Sequence, residues 1–227
     1  MKTAFVTGAS GNLGHAVAKK FIMEGYHVVG TALPNEQLDF PEGKFDKAVV
    51  DLMNEKDSGD TIASVISKFG GIDVAVLTVG GFAMGHIADT STADILKQYK
   101  LNFETAYNIA RPVFVQMMKQ NGGRIFLIGS RPGLDATDSK GMVAYGLGKS
   151  LIFRLAELLN DEGEAQGVVT SVVVPSTIDT PQNRKAMPKA DFNRWVKPEE
   201  IADTIYYYAS DAAKSIREPV IKMFGNS

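Results

Sequence analysis
The chain has 227 residues, 44% hydrophobic and 22% charged, the composition of a globular protein long enough to bury a core of its own. A formal net charge of −2 supplies no electrostatic reason to expect nucleic acid or an anionic membrane as a partner. The lack of cysteine excludes disulfides, thiol nucleophiles and thiolate metal sites, and fits a reducing cytoplasm.

Residues 4–7 are a short β-rich run that opens into Gly8-Ala9-Ser10-Gly11-Asn12-Leu13-Gly14, so the N-terminus reads as a strand rather than a signal peptide. Ala16, Val17, Phe21 and Ile22 follow at helical spacing, and residues 26–30 form a second strand. Strand, glycine loop, helix and strand make a βαβ unit, where a dinucleotide site is expected. The glycines let main-chain N–H groups approach a pyrophosphate at the helix N-terminus. Residues 48–51 read as a third strand, 54–69 as a helix and 73–79 as a fourth strand ending in Gly80-Gly81. A long helical stretch, 92–119, is expected to kink or split at Pro112. A strand at 124–129, a helix at 144–160, a strand at 168–174, a helix at 198–210 and a last short strand at 219–224 complete the alternation. The pattern predicts an α/β fold, a single Rossmann-like doubly wound parallel sheet of about seven strands with helices on both faces. No linker or repeat divides it, so residues 1–227 read as one dinucleotide-binding domain. No apolar run is long enough to span a bilayer, and His15, His27 and His86 show no ligand spacing, so no metal is expected.

Tyr145 and Lys149, four apart, share one helix face. A free tyrosine, with a pKa near ~10, is a poor acid at neutral pH, but a cation held beside it favours the phenolate. Such a Tyr can exchange a proton with a carbonyl or alcohol oxygen. Ser130 ends the apolar strand 125–129 and its hydroxyl can bond the same oxygen.

These motifs resemble those of the short-chain dehydrogenase/reductase family over nearly the whole chain. Thr7 to Gly14 resembles the family's TGxxxGxG loop, with Asn12 in place of a glycine; Gly11 also fits TGxxGxxG. Asp51-Leu52 after the third strand resembles the acidic residue that meets the adenine, and Pro175 to Thr180 the PGxIxT segment that meets the nicotinamide, with Ser176 replacing glycine. The resemblance implies an NAD(P)-dependent hydride transfer with Asn102, Ser130, Tyr145 and Lys149 as catalytic residues. It implies a cofactor held by Gly8, Ser10, Gly11, Asn12, Leu13, Gly14, Thr31, Asp51, Leu52, Gly80, Tyr145, Lys149, Pro175, Ile178 and Thr180. Asn102 would hold a water serving Lys149, and Lys149 would lower the Tyr145 pKa. Thr78-Val79-Gly80-Gly81 departs from the family's NNAG, and Ser130 lies two residues further before Tyr145 than is common. Gly80-Gly81 and the run 141–145 are locally similar to dihydropteridine-reductase-like members, a hint of pterin- or quinone-like substrates.

The end of the second strand, Gly30-Thr31-Ala32-Leu33, carries no acid to repel a 2′-phosphate, so NADP is preferred over NAD, although no Arg or Lys stands there to pair with a phosphate. Residues 81–90 together with 176–197 read as the substrate region, the second segment as a lid. Phe82, Met84, Phe192 and Trp195 are candidates for an apolar pocket, with lid anchoring an equal alternative for the last two. Arg184, Lys185, Lys189 and Arg194 fit a solvated charged loop better than an acid-substrate site, and Arg131 follows Ser130 with its direction unknown. The catalytic helix is apolar over more than one face, which with the resemblance points to a homodimer or homotetramer. Two other readings remain: a non-catalytic NAD(P) sensor, which need not keep all four catalytic residues, and an epimerase or dehydratase, whose relatives usually carry a larger C-terminal domain.

Overall fold
The computed structural model describes residues 1–225. Seven parallel strands form one sheet: β1 Thr3–Thr7, β2 His27–Thr31, β3 Phe45–Ala48, β4 Val74–Leu77, β5 Gly123–Ile128, β6 Val168–Pro175 and β7 Val220–Met223. Their spatial order is β3-β2-β1-β4-β5-β6-β7. The order reverses at β1, which lies between β2 and β4, and a crevice is expected above the strand ends at such a point.

The helices are α1 Asn12–Met23, α2 Glu55–Phe69, α3 Thr92–Tyr99, α4 Thr105–Lys119, α5 Arg131–Leu134, α6 Val143–Gly163, α7 Pro181–Ala186 and α8 Pro198–Ala209. Strand side chains alternate between two cores. Ile125 and Leu127 of β5 join Ile62 of α2, Ile109 and Val113 of α4 and Ile152 of α6. Phe126 and Ile128 join Val17 and Phe21 of α1 and Ile201 and Ile205 of α8. A sheet buried on both faces needs apolar residues at successive positions, which is why 125–128 of β5 and 172–174 of β6 read as unbroken apolar runs.

Two expectations are corrected. The third strand is Phe45–Ala48, paired with β2 in the register Val28↔Phe45 to Thr31↔Ala48, not residues 48–51. It is an edge strand, so Asp46 reaches solvent-side partners such as Lys68 (2.5 Å) and the strand looks polar. The apolar run Val49-Val50 continues past the sheet and lines a crevice.

Pro112 does not break its helix. α4 runs through it, and the break falls at a π-helical turn, Lys100–Glu104, where the Thr105 N–H bonds the Lys100 carbonyl. A proline inside a helix costs about 3 kcal/mol. Ile109, Val113, Phe114 and Met117 of α4 are all buried, and burying side chains of this size stabilises by about 1.5–3 kcal/mol each, so packing wins. Among the described residues no helix is long and apolar enough to cross a membrane.

Candidate active site
Three elements converge at the C-terminal ends of β4 and β5. Tyr145 and Lys149 stand on the first turns of α6, Ser130 caps the end of β5, and Asn102 sits in the π-helical turn. π-turns add a residue to a helix and recur at functional sites. Here the turn aims the Asn102 side chain at the end of β4. The Gly81 N–H donates to Asn102 Oδ1 (3.0 Å), and Asn102 Nδ2 donates to the Gly81 carbonyl (3.0 Å) and to Gln98 Oε1 (2.8 Å). The amide braces α3 and the π turn against the strand. A Cβ built on Gly80 would lie 2.7 Å from Asn102 Oδ1 and 3.2 Å from Lys149 Nζ, which shows how closely the three positions meet.

Lys149 is 5% exposed, and its Nζ donates to the Ile128 carbonyl at 2.8 Å. Burial pushes its pKa down to about 8. The Tyr145 phenol is held above its ordinary value by burial, while its hydrogen bond with Ser130 pulls the other way. The Lys149 ammonium is engaged at the end of β5, and burial dominates at the tyrosine. Ser130 Oγ also accepts from the Gly133 N–H (3.2 Å), so one hydroxyl both caps α5 and bonds Tyr145. Phe82 packs edge-on to the Tyr145 ring with centroids 5.1 Å apart.

A crevice of about 920 Å3 runs from this cluster to the β2 side of the sheet. Gly8, Ser10, Gly11, Asn12, Leu13, Gly14, Thr31, Asp51, Leu52, Gly80, Ile178 and Thr180 line it. Tyr145 and Lys149 stand beyond its Gly80 end, and Pro175 closes β6 outside the lining. Thr31 fixes the glycine loop, its Oγ1 accepting from the Gly8 N–H (2.9 Å) and its carbonyl from the Ala9 N–H (2.8 Å). Thr78, where the family motif differs, ties β4 to β1 by donating its hydroxyl to the Thr7 carbonyl (2.6 Å).

The loop fits a pyrophosphate. A Cβ on Gly14 would lie 2.1 Å from the Gly8 carbonyl oxygen, so only a bare glycine lets the cradle close. Gly8 has φ +66°, a conformation that favours glycine. α1 opens at Gly11 with no side-chain cap, leaving its first N–H groups for an anion.

A family model described as short chain dehydrogenase matches residues 2–191. The chain belongs to the short-chain dehydrogenase/reductase family. It is an NAD(P)-dependent oxidoreductase. It is 28% identical to the 3-oxoacyl-[acyl-carrier-protein] reductase FabG of Buchnera aphidicola, over 95% of this chain and 92% of that one. It is 26% identical to the acetoacetyl-CoA reductase of an Acinetobacter species, over 92% and 91%. In fold it is similar to the solved structure "ElxO with NADP Bound", with a TM-score of 0.90 at 23% identity, over 99% of this chain and 97% of that one.

Within this dehydrogenase frame the remaining expected residues fall into place unevenly. Phe192 and Trp195 pack on each other (centroids 4.8 Å), while Phe82 packs on Tyr145, so the expected apolar four divide. Arg184 is paired through two nitrogens with Asp179 (2.6 and 2.7 Å) and lies over the Phe192 ring. Arg131 meets Asp138 (3.3 Å) and the face of Phe224. Residues 176–197 are not a plain loop: they hold α7 and a 3₁₀ turn, Phe192–Arg194, and Ile178 bridges Val196 at the base.

Sequence reasoning missed Glu36. It lines the crevice five residues after β2 ends, and its carboxylate accepts from Ser10 Oγ (2.5 Å) and the Leu33 N–H (2.8 Å). A search for an acid at the strand end itself passes over it; an acid within reach of the glycine loop was the signal. Among the described residues no cluster of acidic, histidine or cysteine side chains could hold a metal.

Proposed function
We propose that this oxidoreductase reduces, or reversibly oxidises, a small apolar carbonyl or alcohol compound. The observation that carries the reading is the convergence of Tyr145, Ser130 and Lys149 at the Gly80 end of a crevice built on the glycine loop. When bound there, the nicotinamide supplies or accepts the hydride. Ser130 orients the substrate oxygen, and Tyr145 gives its proton to that oxygen as the charge develops. Lys149, buried and charged at the end of β5, holds the cofactor's ribose side and offsets the phenolate. Asn102 keeps α3 and the π turn in register with the β4 end. Gly8, Ser10, Gly11, Asn12, Leu13 and Gly14 hold the pyrophosphate, Asp51 and Leu52 the adenine, and Pro175, Ile178 and Thr180 the nicotinamide side.

The neighbour solved with NADP supports NADP as a cofactor, with NAD the other candidate. Phe82, packed on Tyr145, and the exposed Met84 two residues further along the chain support an apolar substrate body, and the names of the two reductase relatives make 3-oxoacyl thioesters the first compounds to test. In this reading residues 1–227 work as one domain, 176–197 form the lid, and the enzyme acts in the cytoplasm. Leu147, Leu151 and Leu158 of α6 and Tyr107 and Val115 of α4 are exposed on one side, which supports a homodimer or homotetramer through these helices.

The test is a screen of 3-oxoacyl thioesters, quinones and pterins followed by NADPH and NADH absorbance. Net cofactor oxidation with one class is expected. Turnover that returns the cofactor unchanged would favour an epimerase, and dinucleotide binding without turnover of any class would favour a sensor.

A further inference from the structure
The residue that follows β7 lies against the segment that carries Ser130, a contact the hydride-transfer reading does not use. Ser130 caps α5, which is a single turn, Arg131–Leu134. One turn gains too few hydrogen bonds to hold itself, so its place, and that of the Ser130 hydroxyl, must come from tertiary contacts. Arg131 supplies two of these. Its Nε donates to Asp138 Oδ2 (3.3 Å) in the 3₁₀ turn Ala136–Ser139, and its guanidinium lies over the Phe224 ring, 5.0 Å from the centroid. That is inside the reach of a cation–π contact, about 6 Å. Phe224 packs against the core that α2, α4 and α6 share, one residue beyond the Met223 carbonyl that takes the Ser176 N–H (2.9 Å). Gly225 has φ +58°, and a Cβ there would lie 3.0 Å from the Arg194 carbonyl oxygen, so the backbone beyond the ring is held against the foot of the segment 176–197. Bonds from the Thr137 N–H and hydroxyl keep the Asp135 carboxyl, at the C-cap of α5, below its ordinary range, and Lys222 of β7 adds an attraction, a second tie between this turn and the last strand.

We propose that Phe224 is a positioning residue for the reaction: with Arg131 it clamps the turn that carries Ser130, so a ring beyond the last strand fixes the hydroxyl that orients the substrate oxygen. The proposal rests on the reading of Ser130 as that hydroxyl. Three parts of the molecule meet at one guanidinium: α5, the turn before α6 and the residue after β7. A planar guanidinium can serve them together, since its face meets the ring while an N–H in its plane meets the carboxylate. Without the ring the guanidinium loses its footing beyond β7, and α5 can shift. Ser130 Oγ then loses its fixed distance to the Gly133 N–H and to Tyr145. The glycine loop follows β1, which β4 separates from β5, so the cofactor's pyrophosphate site is untouched.

The experiment compares Phe224→Leu, which keeps an apolar side chain without the ring, with Phe224→Tyr, which keeps the ring, and takes Ser130→Ala as the reference. Two readouts are made on the full chain. One is kcat and KM with acetoacetyl-CoA and NADPH. The other is the pH titration of Tyr145 by fluorine NMR after fluorotyrosine labelling, which needs no substrate and decides alone if this thioester is not turned over. Phe224→Leu should lower kcat about tenfold with the KM of NADPH unchanged, since a shift of 1 Å costs about 10²-fold and the Asp138 bond still restrains α5. Its Tyr145 should titrate at higher pH than the parent's, in the direction of Ser130→Ala, because the bond that lowers the phenol is weakened. Phe224→Tyr should recover kcat to within about threefold of the parent, and Phe224→Leu added to Arg131→Met should be no slower than Arg131→Met alone. Equal losses for the two Phe224 variants, multiplying losses in the double variant, or an unmoved Tyr145 titration in Phe224→Leu would each overturn the proposal. A Tyr145 titration that Ser130→Ala itself leaves unmoved would instead overturn the pairing of Ser130 with Tyr145 on which the proposal rests.

Discussion

Gly133→Ala puts the longer-than-usual segment between Ser130 and Tyr145 under direct test. A Cβ at 133 would lie 2.6 Å from Lys149 Cβ, 2.7 Å from its carbonyl carbon and 3.0 Å from its oxygen. Carbon atoms in contact normally sit about 3.5–4.0 Å apart, so α5 must withdraw by roughly 1 Å. The neighbour is α6 backbone in a packed turn, which cannot yield as a flexible side chain would. α5 carries the Gly133 N–H that fixes Ser130 Oγ, and Ser130 is the partner of Tyr145. Overpacking of this kind costs about 1–3 kcal/mol of stability. A misplacement near 1 Å costs about 10²-fold in rate, so kcat should fall by about 10- to 100-fold. The glycine loop is remote from α5, so dinucleotide Kd should hold. Steady-state kinetics, cofactor titration and urea unfolding on one preparation separate these effects. A variant destabilised as expected but with kcat within twofold of the parent would show that α5 has no part in placing Ser130.

Tyr145→Phe should lower kcat by about 10²–10⁴-fold with cofactor affinity kept; turnover within tenfold would remove Tyr145 as the proton donor. Lys149 ionises at about 8 when folded and near its usual 10.5 when unfolded. Folding therefore bears the full cost of the buried ammonium below pH 8, and stability rises between about pH 8 and 10.5 as the folded group sheds its proton. Lys149→Met should be the more stable form at pH 7.5, and urea unfolding should find its advantage smaller by on the order of 2 kcal/mol at pH 10; a constant gap would contradict the burial of the charge. Gly14→Ala should weaken dinucleotide binding at least tenfold, since its Cβ would sit against the Gly8 carbonyl. Unchanged affinity by calorimetry would show that the loop adapts.

The βαβ opening, the sheet's parallel order and the Tyr145–Lys149 pair were legible because each depends on local spacing. Apolar positions two apart mark a strand, and Tyr and Lys four apart must share a helix face. What could not be read depends on partners distant in sequence. The edge strand Phe45–Ala48 carries Asp46 and Lys47 because one side faces water, so polarity hid it. The π turn at Lys100–Glu104 has no composition signal, and Pro112, the visible irregularity, was overruled by burial. A sequence places Lys149 on the same helix face as Tyr145 but does not give the Ile128 carbonyl that takes its ammonium. Glu36 was invisible for the same reason: only folding brings it to Ser10.

The two feet of the segment after β6 are stitched to each other. The Val196 N–H donates to the Thr177 carbonyl (3.0 Å), and the Asp179 N–H to the Val196 carbonyl (2.8 Å). The stretch between them, 180–195, is thus a closed loop on a fixed stem, and its length or composition can change without passing strain into the sheet. A foreign stretch spliced between Thr180 and Val196 should inherit the same footing and leave Thr180 in the crevice, making this the natural cassette for redesigning what the enzyme accepts while its catalytic geometry stays as it is.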